Sequence, residues 1–281
     1  MSYRNILLHL DSLAACRKRI AVALDLGERF GARITGMALT GNLVLPYAMD
    51  MAPPGELLVE WQETLQRQAR TAADTFEAAA RQAGFVQVET RVAEGRDIPA
   101  ITQGARYTDL VVIGQVDPAD SGSGAGQEEM SAGEVVLGCA RPVLVVPYIG
   151  APAGLGKHIL IAWNGSREAS RAVSDALPLL KKAQRVTVMA VNPEIDERSH
   201  GELPGADLAA FLAQHDLKIE VQADRGAQDD VGEELLSRIA DLGCDLLVMG
   251  AYGHSRAREW AFGGVTRTIL QSMTVPVLMS H

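Results

Sequence analysis

Three segments of this chain occur twice in the same order, and such a repeat confines the fold to two similar units. Asn5-Ile-Leu-Leu-His-Leu-Asp11-Ser12 matches His158-Ile-Leu-Ile-Ala-Trp-Asn164-Gly165 at an offset of 153. Asp109-Leu-Val-Val-Ile-Gly114 matches Asp245-Leu-Leu-Val-Met-Gly250 at 136, and Arg141-Pro142-Val-Leu-Val-Val matches Val275-Pro276-Val-Leu-Met-Ser at 134. The falling offset places extra length inside the first copy. Tyr148 to Gly156, with Pro152 and three glycines, reads as the linker. The expected domains are residues 1–149 and 157–281, and 281 residues with 47% hydrophobic composition suffice for a core in each.

Within each copy the apolar runs are short and unbroken, the mark of strands buried on both faces and so of a parallel sheet. Helical patterns separate them. Ala169, Ala172, Val173, Ala176, Leu177 and Leu180 fall on one stripe after Asn164, with Pro178 expected to kink or shorten that helix. Strands are expected at 186–191, 218–223, 245–250 and 276–279, and helices at 203–215, 231–242 and 265–272. Alternation of this kind gives two doubly wound α/β domains in tandem, each a five-stranded parallel sheet with helices on both faces. Ligands of such sheets bind at the C-terminal ends of the strands. The first copy adds a long amphipathic helix carrying Leu58, Trp61, Leu65, Ala72, Phe76, Ala79 and Ala83, expected to cover its own sheet. Leu43 to Pro54, before it, lacks periodicity and reads as a flap.

A formal charge of −9 argues against a polyanionic partner, and no basic cluster with interleaved aromatics offsets it, so nucleic acid is not expected. Cys16, Cys139 and Cys244 form no Cys-x-x-Cys pair and read as buried reduced thiols. Asp11 interrupts the first apolar run before a signal-peptide core develops, and no stretch reaches the ~20 apolar residues of a membrane span. A cytoplasmic location without membrane association is expected.

The most specific motif is Gly250-Ala-Tyr-Gly253, then nine residues, then Gly263-Gly264-Val265-Thr266. Glycines after a buried strand let backbone approach a ligand, and a helix opening at the last pair would point free N–H groups and a positive dipole end at an anion. His254, Arg256 and Arg258 lie between the glycines, and Arg267 follows them. At least one of these cations is expected to reach a phosphate.

This pattern, after an apolar strand and before Pro-Val-Leu, resembles the ATP-binding branch of the universal stress protein family. The resemblance covers the second copy fully and the first more loosely. It implies an adenine nucleotide alpha hydrolase-like fold and a nucleotide site at Ala162, Trp163, Asn164, Val191, Gly226, Met249, Gly250, Gly253, His254, Arg256, Gly263, Gly264, Val265 and Thr266. The implied ligand is ATP, or ADP or AMP, with Mg²⁺ as a possible companion. Two positions depart from the family: Gly264 stands where relatives carry Ser or Thr, and Asn164 where many carry Asp, weakening metal ligation. Asn164 also suits a helix cap near Ser166, and Trp163 suits packing better than stacking on a base.

The first copy has lost the cradle. Gln115-Val-Asp117-Pro118 follows Gly114, Met130-Ser131 aligns with Gly263-Gly264, and 121–126 reads as a flexible loop. A stress-response regulator binding one adenine nucleotide in the second copy is the reading these residues favour. The alternatives are a protein-interaction module with a vestigial site, or a slow ATP hydrolase. No catalytic residue and no metal ligand is singled out. Single-copy relatives pair through the last strand, so 143–146 and 277–279 are expected to join as an intramolecular pseudo-dimer. Further homodimerisation and an unidentified protein partner are also expected.

Overall fold

The computed structural model describes residues 2–41, 55–95, 97–119, 130–191, 205–224, 231–252 and 264–281. The N-terminal half runs β1 (Asn5–Leu10), α1 (Cys16–Phe30), β2 (Arg33–Leu39), α2 (Gly55–Gln82), β3 (Val88–Ala93), α3 (Asp97–Ala105), β4 (Leu110–Gly114), α4 (Ala132–Gly138) and β5 (Val143–Val146). The C-terminal half runs β6 (His158–Trp163), α5 (Arg167–Leu180), β7 (Arg185–Val191), α6 (Ala206–Ala213), β8 (Ile219–Asp224), α7 (Val231–Leu242), β9 (Leu246–Gly250), α8 (Gly264–Ser272) and β10 (Val277–Ser280). The expected elements of the second half are all present, with no end shifted by more than three residues. Helix α5 passes through Pro178 and stops two residues later. The flap at 43–54 and the loop at 121–126 lie outside the described residues.

Five parallel strands form in each half, as the unbroken apolar runs require, and both halves use the same order. They do not remain separate sheets. Strand β5 pairs antiparallel with β10, Val145 opposite Val277 and Val143 opposite Met279, giving one ten-stranded sheet in the order β3-β2-β1-β4-β5-β10-β9-β6-β7-β8. Two four-residue strands, every residue buried, thereby remove each other's open edge.

Successive strand residues enter opposite cores. Ile159 and Ile161 of β6 join the face covered by α1, α2, α5 and α6, whereas Leu160 joins the face covered by α3, α4, α7 and α8. Both cores are continuous across the two halves. The halves are also tied by polar contacts: Tyr3 Oη donates to the Asp175 carbonyl at 2.7 Å, and Arg171 Nη2 donates to the Ala140 carbonyl at 3.5 Å. The linker glycines Gly150, Gly154 and Gly156 all hold positive φ, which turns the chain from β5 into β6.

Candidate functional site

In each half the strand order reverses between the first and fourth strands, and this switch point opens a crevice at their C-terminal ends. The C-terminal crevice lies between β6 and β9. Among the described residues there, Ala162 stands beside Met249, Trp163 beside Ala190, and Val191 ends the neighbouring strand β7. Gly264, Val265 and Thr266 form the first turn of α8, which the Thr266 hydroxyl joins to the exit of β9 by accepting from the Tyr252 N–H at 3.5 Å. Gly226, Gly253, His254, Arg256, Arg258 and Gly263 lie outside the described residues.

Side-chain placement refines several roles. Met249 is buried in the core, so only its backbone faces the crevice edge. Trp163 packs against the opposite core, in keeping with the packing role expected of it. Asn164 is exposed, and its Oδ1 accepts from the Ser166 N–H at 3.1 Å in a local turn. The helix cap is instead Ser166, whose Oγ accepts from the Ala169 N–H at 3.1 Å. Gly250 is required by packing rather than by a ligand: a Cβ there would stand 2.4 Å from the Ala169 backbone nitrogen and 2.5 Å from the Glu168 carbonyl carbon.

Two helices direct N-termini toward this crevice, and their electrostatic states differ. The start of α5 already has the Ser166 hydroxyl and an acidic residue, Glu168, in its first turn. Burial pushes the Glu168 carboxyl up, but its own backbone N–H and the Arg167 guanidinium outweigh this and hold it below the usual range. The first turn of α8 contains no acidic residue. An incoming anion therefore finds its complement at α8. Around Gly264 a Cβ would meet nothing within 4 Å among the described residues.

The N-terminal crevice, between β1 and β4, is filled by the protein itself. The repeat sets His9, Asp11 and Arg19 opposite Ala162, Asn164 and Ala172. Arg19, 3% exposed, extends from α1 across Gly114. Its Nε donates to the His9 carbonyl at 2.8 Å and its Nη2 to Asp11 Oδ2 at 2.7 Å. Burial raises the Asp11 carboxyl, but Arg19 outweighs burial and holds it below its ordinary range. Burial, followed by the Arg19 charge, lowers the His9 imidazole to about 4, so His9 is neutral. Its Nδ1 is buried without a hydrogen-bond partner among the described residues. The helix matching α8 is α4, and its start is occupied too: Ser131 Oγ accepts from the Glu134 N–H at 3.4 Å, and Glu134 supplies a negative charge to the first turn.

With this geometry in view, the family comparison is specific: the model of the universal stress protein family matches residues 156–281. The C-terminal half is a universal stress protein domain. The fold of the whole chain is shared with a universal stress protein from Archaeoglobus fulgidus DSM 4304, at a TM-score of 0.69 and 15% identity, over 98% of this chain and 95% of that one. A functionally unknown protein from Pseudomonas aeruginosa PAO1 is similar at a TM-score of 0.58 and 13% identity, over 99% and 92%. No curated protein matches the chain in sequence.

Sequence reasoning missed two residues beside the universal stress domain's crevice. Tyr252 holds φ 59°, a left-handed conformation uncommon for a non-glycine residue, where the chain leaves β9. Nothing in its residue type announces that. Burial, then the Glu134 charge from the N-terminal half, raises its phenol. His281 Nδ1 lies 3.0 Å from the Ala251 carbonyl, which brings an imidazole to the same strand end.

Proposed function

We propose that the protein is a stress-response regulator that binds one adenine nucleotide, ATP first among the candidates, at the C-terminal switch point. The observation that carries this reading is the contrast at α8: its first turn is free of acidic residues, and no described residue crowds Gly264, beside a glycine-bearing strand end in a universal stress domain. Phosphates would bind α8's N–H groups, while Ala162, Asn164 and Val191 border the place for base and sugar. Residues 1–149 act in this reading as a tandem partner with its own crevice closed.

Mg²⁺ would arrive on the phosphates, because Asn164 offers a neutral oxygen that already accepts the Ser166 N–H. Phosphoryl transfer needs metal, a positioned nucleophile and charge stabilisation together, so ATP is held rather than turned over quickly. Native mass spectrometry of gently purified protein tests the reading. One bound adenine nucleotide per chain is expected, and a mass equal to the bare chain even after incubation with ATP would refute it.

A further inference from the structure

We propose that Gln115, in the N-terminal half, is a positioning residue for the nucleotide cradle of the C-terminal half and acts through helix α8. The proposal rests on the reading of α8's first turn as the phosphate site. Gln115 follows Gly114 at the end of β4 and is 7% exposed. Its N–H donates to the Val146 carbonyl at 2.8 Å, and its Oε1 accepts from the Tyr148 N–H at 3.3 Å. Its Nε2 donates to the carbonyls of both Leu270 and Gln271, each at 3.0 Å. One residue is thereby fixed to β5 through its backbone, and to the linker and a helix of the other half through its side-chain amide.

The two carbonyls are among the last four of α8, which have no partner inside the helix, and no basic residue stands in that last turn. Gln115 therefore caps the negative end of the helix whose positive end forms the cradle. Nine residues span only about 13 Å, so the helix moves as one body. The N-terminal half is also close to the other end, where the Glu134 charge of α4 acts on Tyr252. The relation is not reciprocal: the residue matching Gln115 in the second copy is Ala251, which has no side-chain donor. The half with the closed crevice thus sets the position and polarisation of the open one.

Calorimetric titration of the full-length protein with ATP and with adenosine tests this. Gln115→Met keeps the volume and removes the donor; Gln115→Glu places a carboxylate against two carbonyls. ATP affinity is expected to fall about threefold in Gln115→Met and tenfold or more in Gln115→Glu, with adenosine affinity within twofold of wild type in both. Hydrogen exchange of α8 amides without nucleotide should quicken in both variants. Unchanged ATP affinity in both, or equal losses for ATP and adenosine, overturns the proposal. Wild-type protein that binds no adenine nucleotide removes the functional reading and the proposal with it, a result distinct from wild-type binding that the variants leave intact.

Discussion

The two crevices have the same strand order and opposite contents. In the N-terminal one, a buried arginine, an aspartate and a neutral histidine complete one another across Gly114, and the facing helix carries its own hydroxyl and carboxylate. In the C-terminal one, alanine, asparagine and alanine stand at the matching positions, and the facing helix starts with a glycine that no described residue crowds. A crevice of this fold is therefore filled here by internal ions rather than lost with the fold. The strands and packing that build a crevice survive when its chemistry is turned inward.

The largest expected difference between the halves concerns their strand-end glycines. Gly250→Ala should cost about 3 kcal/mol and abolish nucleotide binding, because the new methyl meets the backbone of α5. Gly114→Ala meets the tip of Arg19, a side chain that can shift, and should cost about 1–2 kcal/mol. Denaturant unfolding of both variants checks this, and equal losses would erase the contrast.

Acid should affect the closed crevice next. His9 titrates near 6.5 when unfolded and about 4 when folded, so the unfolded chain binds the extra proton first as pH falls. Its contribution is complete above pH 6.5 and is lost progressively between 6.5 and 4, up to about 3 kcal/mol. His9→Leu should flatten the stability profile in that window; an identical slope in wild type and variant would show that the fold does not lower the His9 pKa.

A smaller effect is expected at the open crevice. Gly264→Ser adds a hydroxyl where a Cβ would meet no described residue, and one neutral hydrogen bond of about 0.5–1.5 kcal/mol corresponds to a two- to tenfold gain. ATP should tighten more than AMP. Equal gains for both, or a loss, would place the outer phosphates away from α8.

Much of the fold was legible because it rests on periodicity. The unbroken runs before Gly114 and Gly250 read as strands buried on both faces, the repeat supplied two similar units, and the open last strand with the family resemblance pointed to the joining edge. The site was legible only as a location. That Gly250 faces the backbone of α5, that Ser166 rather than Asn164 caps that helix, and that Gln115 reaches a helix 155 residues away follow from tertiary contacts with no local signature. Arg19 is the instructive case. Beside Arg17 and Lys18 nothing in the sequence marks it as buried, yet it enters the crevice, where Asp11 and the His9 carbonyl complete its hydrogen bonds.

The claim that one crevice is open and the other closed is tested most directly by calorimetric titration of the full-length protein with ATP in the presence of Mg²⁺. A stoichiometry of one nucleotide per chain is predicted, unchanged in Arg19→Met, whose crevice loses its cation but still faces a self-capped α4. Two nucleotides per wild-type chain would contradict the account, because the ion pair of Arg19 and Asp11 would then be a gate that ATP opens rather than a permanent filling.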